Sequence, residues 1–136
     1  MSHRAVLLLD TISSLGGGIP VAVRGLTKAL IEQGEAVRVV ARDDGPTKED
    51  RSQWAGTDVC LSSHGGVLET VFARRLAATL LAGSVDLVHL HGIWGVAARA
   101  ATIADNGPLI LSPHGMLDPW ARNRSRAKKA ISSLFW

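Results

Sequence analysis

Two short apolar runs, each breaking into histidine and glycine at its end, constrain this chain more than any other feature. The first is VDLVHLHGIWG at residues 85–95, and the second is LILSPHG at residues 109–115. Each has the composition of a buried strand of a parallel sheet that runs out into a loop. Side chains alternate along a strand, so Leu87, His89 and His91 share one face while Asp86, Val88 and Leu90 share the other. The gap between the runs has the length of one helix. Two parallel strands joined by a crossover helix end at the same end of the sheet. His91 and His114 are therefore expected to approach each other. Ligands of open α/β sheets bind outside the carboxyl ends of the strands, which places the expected site there.

The rest of the chain alternates in the same manner. Residues 4–9 read as a first buried strand and residues 10–19 as a glycine-rich loop. Pro20 suits the first turn of a helix that runs to about Gln33, with Val23, Leu26, Leu30 and Ile31 facing the core and Gly34 ending it. Residues 36–41 read as a second strand. Residues 42–56 are polar, rich in charge and glycine, and read as a surface excursion. A weaker third strand follows at 57–61. The spacing then predicts a helix over 66–81, with Leu68, Val71, Phe72, Leu76 and Leu80 on one stripe. A further helix over 96–104 joins the two histidine strands, and helical character returns from Pro119. This order calls for an α/β fold: a Rossmann-like open parallel sheet of about five strands, order 3-2-1-4-5, with helices on both faces. Residues 1–118 are assigned to this domain and residues 119–136 to a basic amphipathic helix.

Composition adds three constraints. At 136 residues the chain suits one domain. The single cysteine, Cys60, allows no disulfide within the chain, which fits a reducing compartment. The opening MSHRAVLLLD holds too short an apolar run for a signal peptide or membrane span, so a cytoplasmic location is expected. The net charge of +3 conceals an asymmetry. Arg122, Arg124, Arg126, Lys128 and Lys129 stand in the last fifteen residues without an acid, whereas the preceding domain is slightly acidic.

Three motifs carry candidate chemistry. Gly16, Gly17 and Gly18 lie between the first strand and the first helix, where backbone amides and the helix N-terminus can cradle a phosphate. The dinucleotide fingerprint is met only at Gly16 and Gly18, because Val21 stands at its third glycine, and no Gly-Lys-Ser/Thr follows. His89 and His91 have the H-x-H spacing with which one strand offers two imidazoles to a metal, but no Asp, Glu or Cys cluster completes a ligand set. His89 alone reads as a hydrogen-bonded core histidine, and His91 and His114, each followed by glycine, as site residues. The tail alternates basic residues with Trp120, Ile131, Leu134, Phe135 and Trp136. It admits two readings, a helix lying on anionic lipid or one whose apolar face packs on another domain. No recognised nucleic-acid module accompanies it, and nucleic acid is not an expected partner.

Together, LGGGIPVAVRGLTKALIEQGEAVRVVA, VDLVHLHGIWG and LILSPHGMLDPWARNRSRAKK resemble the N-terminal domain of the family-4 retaining glycosyltransferases of the GT-B fold. PHGMLDPW is especially similar to the bacterial enzymes that build exopolysaccharide and lipopolysaccharide. The resemblance implies transfer, with retention, from a nucleotide-diphosphate sugar to a saccharide or lipid-linked acceptor, without a metal or other cofactor. It implies that Gly16, Gly17 and Gly18 approach the donor phosphates and that His114 lies against the transferred sugar as a catalytic residue. It places His91, Trp94, Gly115 and Asp118 along the acceptor cleft. The donor would be gripped mainly by a C-terminal Rossmann-like domain, so these residues alone are expected to be inactive. The basic residues of the tail, Arg122, Arg124, Arg126, Lys128 and Lys129, would face an anionic membrane surface at its cytoplasmic side. The alternative is a stand-alone nucleotide- or dinucleotide-binding module, with Asp43 or Asp44 as the ribose ligand.

Overall fold

The computed structural model describes residues 4–62, 69–104 and 107–124. In chain order the elements are β1 (Arg4–Leu8), a 3-10 turn (Ser14–Gly16), α1 (Gly18–Glu32), β2 (Ala36–Arg42), α2 (Lys48–Ser52), β3 (Asp58–Ser62), α3 (Glu69–Leu81), β4 (Leu87–His91), α4 (Val96–Ala104), β5 (Leu109–Ser112) and α5 (Pro119–Asn123). The strands form one parallel sheet in the order β3-β2-β1-β4-β5. This is the Rossmann-like topology expected from the sequence.

The central strand explains the layers. Val6 and Leu8 point to one side, where they join Val88 and Leu90 of β4 under α3 and α4. Leu7 and Leu9 point to the other side, where Val37, Val39 and Ala41 of β2 complete a second core beneath α1. An inner parallel strand is covered on both faces, hence the unbroken apolar run from Val6 to Leu9. On α3 and α4 the facing residues include Ala73, Ala77, Ala97, Ala98 and Ala100, whose small side chains let the helices lie close to the sheet and to each other.

Helix α1 meets the sheet through Val23, Leu26 and Leu30, together with Thr27. Thr27 is fully buried because its hydroxyl donates to the carbonyl of Val23 at 2.8 Å. Ile31, expected in the core, is instead 39% exposed, one step around the helix from the Val23–Thr27–Leu30 stripe. Gly34 ends the helix at φ 87°. The amide of Glu35 donates to Leu30 and that of Gly34 to Ile31, the paired bonds of a Schellman turn.

Residues 42–56 are more than the surface excursion their polarity suggested. They contain α2, opened by a capping box in which Thr47 and Asp50 exchange hydrogen bonds, and they bury Trp54 to 3% exposure in the α1-side core. The Trp54 indole N–H donates to the carbonyl of Ile12 at 3.1 Å, which ties this segment to the loop after β1. A second correction concerns β5. Its residues Leu109, Ile110 and Leu111, expected as a buried run, are about half exposed on this edge strand. Helix α3 begins at Glu69, and the expected start at 66 and Leu68 lie outside the described residues. So do Arg126, Lys128, Lys129 and the apolar positions Ile131, Leu134, Phe135 and Trp136 of the expected tail helix.

Replacing Trp54 by Ala removes a buried aromatic and leaves the Ile12 carbonyl unpaired. The expected cost is roughly 3–5 kcal/mol of unfolding free energy. Trp120→Ala, at a site 70% exposed, is expected to change stability by no more than about 0.5 kcal/mol. Urea unfolding of the two variants checks the contrast.

Candidate active site

The loops after β1, β4 and β5 meet at the carboxyl end of the sheet. The backbone amide of Gly92 donates to the carbonyl of Ser112, which extends the β4–β5 pairing into the loops. Gly92 has φ 93°, and a Cβ there would meet Met116 Cε at 3.1 Å and Ile19 Cδ1 at 3.7 Å. The β5 loop and the first turn of α1 therefore close around this glycine of the β4 loop. Met116 closes the contact further: its sulfur accepts from the amide of Ile93, and its carbonyl accepts from the indole N–H of Trp94, each at 3.3 Å.

At the centre of this edge His91 Nδ1 lies 2.8 Å from His114 Nε2. The expected approach of the two residues is what the structure shows. His91 is only 4% exposed, so it reaches His114 from beneath, while His114 is open to solvent. His89 stacks on His91 with ring centroids 4.0 Å apart, and its Nε2 lies 2.8 Å from the Ser112 hydroxyl. Burial holds the His91 pKa down at about 4, helped by the neighbouring His89 and His114 rings. Burial, then the charge of His114, lowers His89 as well. Among the described residues no group of three or more His, Cys, Asp or Glu is placed to hold a metal ion.

His114 reaches this position through its backbone. It has φ 49°, the one non-glycine residue with positive φ among those described, and Gly115 follows at φ 74°. With the bond from the Met116 amide to the Pro113 carbonyl, the two form the centre of a tight turn of the kind that requires left-handed residues. Asp118 caps α5, its carboxylate accepting from the amide of Trp120 at 3.0 Å. The Arg124 guanidinium lies 5.5 Å from the Trp120 ring centroid, and Arg122 and Arg124 are exposed.

The glycine loop is anchored from the side. The Ser14 amide donates to Asp50 at 2.8 Å, and this bond, with those from the Thr47 amide and hydroxyl, holds the Asp50 carboxyl at about 2. The three glycines have different reasons to be glycine. A Cβ on Gly16 would meet Pro20 Cγ at 2.6 Å, Gly17 holds φ 66°, and Gly18 faces open space. Helix α1 starts on Gly17 with no side-chain cap. By contrast, the N-terminus of α4 is served by Asp10, whose carboxylate accepts from the Ala97 amide at 2.8 Å. Gly95 makes room for it, since a Cβ there would fall 1.5 Å from Asp10 Oδ2. Asp43 accepts from the Gly45 amide and lies 3.8 Å from Arg51, and Asp44 is exposed.

Sequence reasoning missed Asp10, Gly95, Asp50 and Met116. Thr47-x-x-Asp50 is a legible capping box. Nothing in the pattern marks Asp10 or Met116 except that each lies in a loop that follows a strand.

An open parallel sheet with a glycine loop after β1, His91 at the end of β4 and His114 in the loop after β5 is a Rossmann-like domain with these residues gathered at the carboxyl end of the strands. The model of the glycosyl transferase 4-like domain family matches residues 17–136, and the chain belongs to that family. Its function is accordingly that of a glycosyltransferase domain. No curated protein and no solved structure matches the sequence.

The buried histidine makes stability depend on pH with a definite sign. In the unfolded chain His91 takes up a proton near 6.5, whereas in the fold it does so at about 4. Between these values the unfolded state binds more protons, so stability falls as pH drops through that window and is unaffected by His91 above it. Asp50 acts in a lower window, its contribution being lost as pH falls from 3.8 toward about 2. Urea midpoints measured from pH 8 to pH 4 are expected to fall below pH 6.5, and His91→Phe is expected to flatten that fall.

Proposed function

We propose that this domain forms the acceptor-side wall of a retaining glycosyltransferase that uses a nucleotide-diphosphate sugar. The observation that carries the reading is the meeting of the β4 and β5 loops with the start of α1 around Gly92, with His114 held at the surface of that junction by His91. Donor phosphates are assigned to the loop at Gly16, Gly17 and Gly18. The absence of a side-chain cap on α1 supports this, because the helix N-terminus then has amides and dipole to offer an anion. His114 faces the transferred sugar, and Trp94, Gly115 and Asp118 border the acceptor, a saccharide or a lipid-linked saccharide of bacterial polysaccharide synthesis. Retention, and independence from a metal, follow from the resemblance to the family-4 enzymes.

In that reading a second Rossmann-like domain holds most of the donor and stabilises the leaving diphosphate. Positioning and electrostatic stabilisation supply most of the acceleration of such a transfer. One wall of the cleft provides neither in full. The 136-residue chain by itself is therefore expected to give no turnover with any nucleotide-sugar. In an enzyme joining this domain to a donor-binding domain, His114→Ala is expected to lower kcat by about 10²–10³, far more than it lowers stability, whose loss is that of the single bond to His91. Full turnover by that variant, or by the isolated chain, counts against the proposal.

The basic end of the chain suits the same reading, since a lipid-linked acceptor is met at a membrane surface. Among the described residues no helix is long and apolar enough to cross a membrane. We assign Arg122, Arg124, Arg126, Lys128 and Lys129 to electrostatic docking on anionic lipid, at about 1 kcal/mol per well-placed charge. Co-sedimentation is expected with anionic but not neutral vesicles, and it should weaken at high salt and on changing Arg122, Arg124 and Arg126 to Gln. Equal binding to both vesicle types, indifferent to salt, counts against it.

A further inference from the structure

The His91–His114 pair has a direction that its distance alone does not give. Two neutral imidazoles joined Nδ1 to Nε2 share one proton, and either ring can supply it. His91 decides between them, because its other nitrogen, Nε2, is buried and has no hydrogen-bond partner among the described residues. If His114 donated, the proton of His91 would sit on Nε2 and be left as a buried N–H without an acceptor. If His91 donates from Nδ1, what remains buried is a bare lone pair. Orphaned buried N–H groups are rarer in folded proteins than under-used acceptors.

We infer that His91 is a positioning residue that donates from Nδ1 to His114 Nε2, and so fixes His114 as the tautomer with its proton on Nδ1. The consequence lies at the surface. Nε2 of His114 is occupied, and the nitrogen left for a ligand is Nδ1, carrying a hydrogen. His114 then meets a substrate as a hydrogen-bond donor to an oxygen, such as a sugar hydroxyl or a phosphate oxygen, and not as a base that removes a proton. This rests on the proposed function only for the identity of that oxygen. The tautomer belongs to the free domain.

The burial of His91 keeps that ring neutral at neutral pH, as the exchange requires. His89 does not compete for the bond, since it stacks on the His91 ring and turns its own Nε2 to Ser112. In water a free histidine side chain favours the proton on Nε2. The proposed arrangement is the reverse of that default at both rings, which gives an experiment a clear sign.

Long-range ¹H–¹⁵N correlation spectra of the 136-residue chain at pH 7.5 distinguish the two tautomers directly. Both His91 and His114 are expected to show a protonated Nδ1 and a bare Nε2. In His91→Asn the side-chain amide stands where Nδ1 stood and can still donate, so His114 is expected to keep its tautomer. In His91→Phe no donor remains, and the His114 pattern is expected to move to the Nε2–H form. A protonated Nε2 on either ring of the unaltered protein, averaged shifts on His114, or a His114 pattern indifferent to His91→Phe overturns the inference. The unaltered spectrum decides the matter even if a variant fails to fold. None of these readouts depends on sugar transfer, so failure here is separable from failure of the functional reading.

Discussion

All five strands run in one direction, and most of the molecule follows from that. Parallel strands cannot be joined by hairpins, so each connection crosses over the sheet and must cover it. Covering both faces requires the inner strand to be apolar at every position, as Val6, Leu7, Leu8 and Leu9 are. Running the strands in one direction also brings every carboxyl end to the same side. Loops far apart in sequence, at residues 9–17, 92–95 and 113–118, are thereby neighbours without any special device. The chemistry of the chain gathers where the topology leaves it no other place.

Adjacency is not the same as order, and each loop is fixed to the scaffold by side chain to backbone bonds. Asp50 and Trp54 hold the loop after β1, Asp10 holds the loop that leads into α4, and Met116 holds the β4 and β5 loops against each other. These bonds consume the polar capacity of the residues that make them. Asp50 accepts from one amide of the glycine loop and two donors of Thr47, and Asp10 accepts at the start of α4. The amides of Gly16 and Gly17 likewise donate to the carbonyls of Ser13 and Ser14. What faces solvent at this end of the sheet is thus a short set: the first turn of α1 at Gly18 and the exposed His114 ring. The carboxylates of Asp10 and Asp50 at this end of the sheet are engaged with backbone N–H groups.

The strand order and the meeting of His91 with His114 were legible because they depend on periodicity and on the rule for parallel crossovers, both of which are local in sequence. The depth of His91 was not. Alternation tells which face a strand residue occupies, but whether that face is covered depends on elements elsewhere in the chain. The same reason accounts for β5. Leu109, Ile110 and Leu111 have the composition of an inner strand, yet each is about half exposed on an edge strand. Residues 42–56 failed differently: their average polarity hid one tryptophan and one aspartate that are buried for specific partners. Ile31 shows the limit of helical periodicity, where a step of one residue separates the core stripe from solvent.

The backbone of His114 adds a physical reason to regard it as functional. A non-glycine residue in the left-handed region is held there against a cost on the order of 1–3 kcal/mol, and such positions persist only where surrounding structure enforces them. Gly115 beside it takes positive φ without that cost. A glycine at position 114 would turn equally well and relieve the strain, but it would carry no ring to meet His91. The turn alone therefore does not account for histidine there. The ring does, and the ring is anchored on its inner nitrogen by a buried partner and presented to solvent on the other. Strain in the backbone and a hydrogen bond from beneath combine to give one imidazole a fixed place and a fixed face at the point where the β4 and β5 loops meet.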